Sequence, residues 1–156
     1  KIKVLFLTTG LGLGGAERVV LDICKNIDRS NFEVSVIGVS SQQNMLLNFH
    51  KNKIHTYALN YKKTINKFFN SIVEIYRHIK NHNVNIIHAH MFHTLIIASF
   101  IRLFNKRLKV VFTPHNGFQS MYIRRLVLWI LKPFRDIDTV FSKGAVRFFH
   151  NKSPAL

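Results

Sequence analysis

Short apolar runs of strand character alternate with helical periodicities along the whole chain, and few folds admit that order. Strand-like runs cover Lys1–Leu7, Phe32–Val39, Ile54–Leu59, Val84–Ala89, Leu108–Thr113 and Ile137–Phe141. Helical stretches cover Gly15–Ile27, Gln42–Lys51, Ile65–Ile79, Thr94–Phe104 and Gln119–Phe134. Ser142 is placed to cap a last helix running through about His150. Strict strand–helix alternation means an α/β fold: a doubly wound parallel sheet with helices on both faces. The 156 residues suffice for one domain with a sizeable core, and a hydrophobic content of 47% excludes disorder.

The helices carry their buried sides openly. Ile65, Phe68, Phe69, Ile72, Ile75, Tyr76 and Ile79 repeat at i, i+3, i+4, i+7, so this aromatic stripe reads as core. In the first helix Val20, Ile23, Cys24 and Ile27 form one stripe, which makes the single cysteine a buried thiol. One cysteine also rules out an internal disulfide framework.

Ligands of such sheets bind beyond the carboxyl ends of the strands, where the strand order reverses. Three strand ends here carry unusual chemistry. After the first comes Thr8-Thr9-Gly10-Leu11-Gly12-Leu13-Gly14-Gly15, a glycine-rich passage from strand into helix. Glycines let a backbone approach a phosphate, and the first helical N–H groups and the helix dipole favour an anion there. The spelling Gly10-x-Gly12-x-x-Gly15 matches the dinucleotide fingerprint, but the second strand ends Ile37-Gly38-Val39-Ser40-Ser41 without the acid that would hold a ribose. A dinucleotide-dependent oxidoreductase is therefore the weaker reading. A Walker lysine is also missing, since Ala16-Glu17-Arg18 follows Gly15.

After the fourth strand comes His88-Ala89-His90-Met91-Phe92-His93, and after the fifth Thr113-Pro114-His115-Asn116-Gly117. His88, inside its strand, reads as a hydrogen-bonded core histidine. His90 and His93, expected past the strand end, are candidates to bind hydroxyls or an oxyanion. A zinc site would need His93 or His115 as third ligand, with no acid or cysteine nearby in sequence. No G-x-S-x-G elbow or paired carboxylates appear, which sets aside serine hydrolase and glycosidase chemistry.

Lysine and arginine number 23 against 7 acids, a formal charge of +16, which calls for an anionic partner. The segment Gln119–Lys132 combines apolar residues, Trp129 and a basic face, which suits an anionic membrane surface as well as it suits a core helix with solvated arginines. Nucleic acid is not expected, because the aromatics follow core spacing and no reading motif appears. No run reaches the ~18 apolar residues of a membrane span, and the N-terminus lacks the pattern of a signal peptide, so the chain reads as cytoplasmic, with peripheral attachment to the inner membrane face. It begins without methionine and stops at Ser153-Pro154-Ala155-Leu156, and it reads as a piece of a longer chain.

At Gly14-Gly15-Ala16-Glu17-Arg18-Val19-Val20 the sequence resembles the family 4 retaining glycosyltransferases of the GT-B fold. Three further segments carry the resemblance along the chain. Asn85-Ile86-Ile87-His88-Ala89-His90 is similar to a strand-end D-I-I-H-A-H, and Val111-Phe112-Thr113-Pro114-His115-Asn116 to T-x-H-N. Asp138-Thr139-Val140-Phe141-Ser142 resembles A-D-x-V-x-x-V-S.

The resemblance implies the N-terminal, acceptor-side Rossmann-like domain over residues 1–156, without the donor-binding C-terminal domain that follows in the family. It implies transfer of a sugar from a nucleotide diphosphate donor to an acceptor hydroxyl with retention, no cofactor and no obligatory metal, and no transfer by this chain alone. Gly14 and Gly15 match the loop at the donor phosphates. His90 and His93 fall in the segment that supplies a histidine to the donor sugar. His115 and Asn116 match positions near the acceptor cleft. A polysaccharide or lipid-linked acceptor follows from the resemblance together with the charge. The alternative is a non-catalytic nucleotide- or anion-binding module. Asn85, where the family usually has Asp, and Met91-Phe92, in place of a more polar pair, leave the acceptor open.

Overall fold

The computed structural model describes residues 1–61, 65–115, 122–141 and 146. The elements are β1 (Ile2–Thr8), α1 (Gly15–Asn26), β2 (Phe32–Ser40), α2 (Leu46–Lys51), β3 (His55–Tyr61), α3 (Ile65–His82), β4 (Ile86–His90), α4 (Phe92–Phe104), β5 (Lys109–Thr113), α5 (Tyr122–Ile130), a 3-10 turn at Lys132–Phe134, and β6 (Ile137–Asp138). The strands form a six-stranded sheet in the order β3-β2-β1-β4-β5-β6, every pairing parallel. The order reverses between β1 and β4, so the expected doubly wound sheet is what the chain builds.

Period-two alternation divides β1 between two cores. Val4 and Phe6 pack with Val20 and Cys24 of α1 and Phe49 of α2, while Leu5 and Leu7 pack with Ile75 and Ile79 of α3 and Leu95, Ala98 and Ile101 of α4. Leu5 and Leu7 are fully buried; each such side chain stabilises the fold by about 1.5–3 kcal/mol. Cys24 is buried as expected, and burial pushes its thiol up to about 12.

Several boundaries differ from the sequence reading, and at three of them the local reason is plain. The helix expected from Gln42 begins at Leu46, because the preceding residues bond to the glycine loop: the Leu11 N–H donates to the Gln42 carbonyl and the Met45 N–H to the Leu11 carbonyl. β4 starts at Ile86 because the Val84 N–H closes α3 on the Ile79 carbonyl, with Asn83 left-handed at φ 52°. β6 is short, although the Thr139 N–H still donates to the Phe112 carbonyl. The expected last helix falls outside the described residues except at Val146.

The β5–β6 edge is fastened by charge. Arg135 and Asp138 pair at 3.2 Å with side chains 1% and 2% exposed. The Arg135 guanidinium also donates to the Leu128 carbonyl and lies over the Phe112 ring. No described helix is long and apolar enough to cross a membrane.

Candidate functional site

The glycine loop leaves β1 at the same rim where β4 and β5 end. The Thr8 hydroxyl turns it by donating to the Gly10 carbonyl at 2.6 Å, and the Ser40 N–H binds the Thr9 carbonyl at 2.7 Å. Leu11 is buried directly over Gly38 of β2, where a Cβ would stand 2.7 Å from the Leu11 Cγ and 3.2 Å from the Gly10 backbone. Gly38 is therefore glycine because the loop lies on it. Gly14 caps α1 in an extended conformation, and no described glycine has a positive φ. A Cβ on Gly14 would meet the movable Glu17 carboxylate, and one on Gly15 would meet nothing within 4 Å. Neither packing nor backbone demands glycine at position 15, the first residue of the helix.

β4 extends one residue further than expected, so His90 is its last residue and is fully buried. Alternation sends Ala89 into the α3–α4 core. His88 and His90 go to the α1 side, with ring centroids 5.2 and 5.9 Å from Phe6. His88 is the expected core histidine, its Nε2 2.8 Å from the Thr113 hydroxyl, which in turn bonds the Thr139 hydroxyl. His90 Nδ1 and His115 Nε2 share a hydrogen bond of 2.7 Å, while His90 Nε2, equally buried, has no hydrogen-bond partner among the described residues.

Burial holds all three rings neutral. It pushes His88 down to about 4, helped by His115, and His90 to about 2, helped by His88 and then His115; it also lowers His115. The rim is strained as well. Met91 and His115, which follow β4 and β5, are left-handed at φ 82° and 53°. The Met91 N–H donates to the Thr113 carbonyl, and the Thr94 hydroxyl holds the turn through the His90 and Met91 carbonyls.

His93 lies elsewhere. It lines a cavity of about 410 Å³ with Thr9, Val39, Ser40, Phe68, Thr94 and Ile97. Val39, Phe68 and Ile97 belong to the α3–α4 core, so this cavity is on the other face of the sheet from the His90–His115 pair. The expectation that His90 and His93 both lie past the strand end is corrected for His90, and the two imidazoles do not share one wall. Asn116 lies outside the described residues.

Asn85 is removed from this rim. It sits before β4, receiving the Lys3 N–H on its Oδ1 at 2.8 Å and the Lys109 N–H on its carbonyl at 3.0 Å. It ties strand starts together and does not bear on the rim chemistry. Sequence reasoning missed Gly38, Ser40, Phe68, Thr113 and Thr139. Ser40 and Thr113 end their strands and could have been found by that position; Phe68 looked like one more core aromatic; Thr139 entered only as an unassigned residue of the Asp138–Ser142 segment. Among the described residues no group of three His, Cys, Asp or Glu is arranged to hold a metal ion.

A glycine-started helix and a neutral imidazole pair at a switch point can hold an anion and a hydroxyl side by side. Known structures share the frame. A glycosyltransferase from Rickettsia africae ESF-5 superposes with TM-score 0.77 at 17% identity, over 96% of this chain and 39% of its own. Anabaena Alr3699/HepE, solved with UDP and glucose, gives 0.76 at 17%, over 98% and 41%. A UDP-GlcNAc 2-epimerase from Neisseria meningitidis, bound to UDP-GlcNAc, gives 0.70 at 15%, over 97% and 44%. The chain thus spans about two fifths of the length of these proteins, and at such identities the likeness is one of fold. No curated protein sequence matches the chain. The family model described as Glycosyltransferase Family 4 matches residues 13–156, nearly the whole chain. The chain belongs to glycosyltransferase family 4.

Proposed function

We propose that this chain is the N-terminal, acceptor-side half of a retaining glycosyltransferase, which moves a sugar from a nucleotide diphosphate donor to an acceptor hydroxyl in making a surface polysaccharide or a lipid-linked glycan. The observation that carries the reading is the rim at the switch point, where the open glycine start of α1 and the His90–His115 pair lie on one side of the sheet.

In this reading Gly14, Gly15 and the first N–H groups of α1 receive the donor diphosphate. His90 is the imidazole that meets the donor sugar. Its Nδ1 is taken by His115, and its Nε2, buried and without a partner among the described residues, meets a sugar hydroxyl when the covering side chains part, as donor or acceptor according to the tautomer. A ring held neutral this firmly orients a hydroxyl and does not act as a cationic acid. His93 and its cavity take the acceptor on the α3–α4 face, while His115 holds His90 on the other. The second domain supplies the remaining donor contacts.

The membrane enters through α5. Tyr122, Ile123, Leu126, Trp129 and Ile130 are exposed there, and Arg124 lies over Phe92, the neighbour of His93. An apolar face with arginines suits an anionic membrane surface, and in this reading that surface lies on the acceptor side. Vesicle flotation tests this part: anionic vesicles recover the protein and neutral ones do not.

The central experiment screens the full-length protein against a panel of nucleotide sugars and acceptors, with product anomers assigned by NMR. One donor is expected to be consumed with retention, and His90→Ala to lower kcat/KM about 100-fold or more. Nucleotide binding without turnover on any acceptor favours the non-catalytic module, and inversion at the anomeric carbon overturns the retaining assignment.

A further inference from the structure

At the opposite rim, where β1, β2 and β3 begin, three imidazoles gather around a second cavity. His78 and His82 lie one turn apart on α3, their rings stacked at 4.2 Å. His55 opens β3, and its ring is 6.2 Å from each of them. His78 is buried, with its Nε2 3.3 Å from the Ser35 hydroxyl, and His82 Nδ1 is 3.0 Å from the His78 carbonyl. Together with Lys3 and Glu33 these groups line a space of about 240 Å³. A water molecule's share of the liquid is about 30 Å³, so a tetrahedral anion fits with several waters.

The charges around His78 are unbalanced. β1 brings Lys3, β2 brings Ser35 and Glu33, β3 brings His55 and Tyr57, and α3 brings His82 and, a turn earlier, Glu74. Glu33 is exposed and stands 3.9 Å from Lys3, so the carboxylate that lines the cavity is already matched by an ammonium. Tyr57 stays neutral, its hydroxyl pushed up to about 12 by burial and then by Glu74. The cavity therefore presents three imidazoles and a hydroxyl beside an ammonium shared with Glu33, and no second carboxylate stands among its described lining residues. Without a counterion His78 resists protonation: burial, then His82, then His55 push it down to about 4. An anion seated among them would reverse that balance, accepting hydrogen bonds from Lys3 and from the ring N–H groups.

We propose that this cavity binds a small oxyanion of the phosphate or sulfate type and takes up protons on its histidines as it does so. By linkage, an anion that favours the protonated rings binds more tightly as the pH falls.

The test titrates the full-length protein with inorganic sulfate at constant ionic strength, following the imidazole resonances by NMR and the heat by calorimetry. Sulfate keeps its charge across the range, so the pH dependence reports the protein alone. Saturable binding is expected, tightening about tenfold or more between about pH 7.5 and 5.5, with the His55, His78 and His82 resonances moving together. Both outer rings are exposed, so the H55Q/H82Q variant should keep its thermal midpoint while losing about tenfold or more in affinity. A hexose monophosphate run in parallel distinguishes a free anion from one carried on a larger molecule. Sulfate affinity unchanged in H55Q/H82Q, affinity indifferent to pH, or saturable zinc binding with none of sulfate each overturns the proposal. Nucleotide-sugar binding at the glycine rim should be untouched by H55Q/H82Q, so the two readings fail separately.

Discussion

Lys53 holds a backbone conformation that its side chain disfavours. It follows α2 at φ 56°, where its N–H donates to the His50 carbonyl and the Ile54 N–H to that of Phe49. A residue with a Cβ loses about 1–2 kcal/mol in this region, and asparagine, as at Asn83, tolerates it better. Lys53→Gly is expected to stabilise the chain by about 0.5–1 kcal/mol, the gain being partly offset by a freer unfolded state; urea denaturation measures it. Gly15 makes the opposite case. Its α-helical position would be more stable as alanine by about 0.5–1 kcal/mol, and nothing stands in the way of the added methyl. Gly15→Ala should therefore raise the thermal midpoint while weakening donor binding in the full-length protein by about tenfold or more. Alanine that leaves donor affinity untouched would mean that the open space above the helix is not used.

Among elements, the closure of α5 onto the β5–β6 edge depends on Arg135 and Asp138. Their separation is that of a good ion pair, yet burial outweighs it enough to push Asp138 up to about 6, with Arg135 opposing. Removing either partner strands the other charge, so Arg135→Met or Asp138→Leu should cost about 3–5 kcal/mol. Changing both should cost clearly less than the two single losses together, and denaturation of the four proteins completes the cycle. The pair was invisible in the sequence. Arg135 looked like an ordinary residue before an edge strand and Asp138 entered only as part of that strand and of its resemblance, and only the packing of Leu128 and Phe112 around Arg135 makes their charges matter. The helices themselves were legible because α1 and α3 repeat their apolar residues faithfully. The short α2 was legible only in part, since its first residues serve the glycine loop.

For the molecule as a whole, neutral buried imidazoles make stability depend on pH. His78 and His88 titrate near 4 in the folded chain and near 6.5 when unfolded, and His90 is lower still. Between those values the unfolded chain binds more protons, so stability is complete above about pH 6.5 and is lost on acidification towards pH 4, at up to about 1.4 kcal/mol per pH unit for each ring. Asp138 works the other way, since its raised value favours the fold as the pH drops through about 6, but it is one group against several. Thermal midpoints should therefore fall between about pH 6.5 and 4.5, and His88→Gln, which can keep the bond to Thr113, should flatten the slope. A midpoint that holds steady over that interval would contradict the neutral assignment. Strand–helix alternation revealed the sheet, and the polar residues after strands revealed the rim. The parity of the rim was hidden, because it depends on whether β4 stops before or after His90, and one residue decides which side of a sheet a ring occupies. That parity has a geometric outcome. With His90 buried on one flank of the strand tips and His93 lining a cavity on the other, a change at either ring is felt on one face of the sheet and not on its reverse.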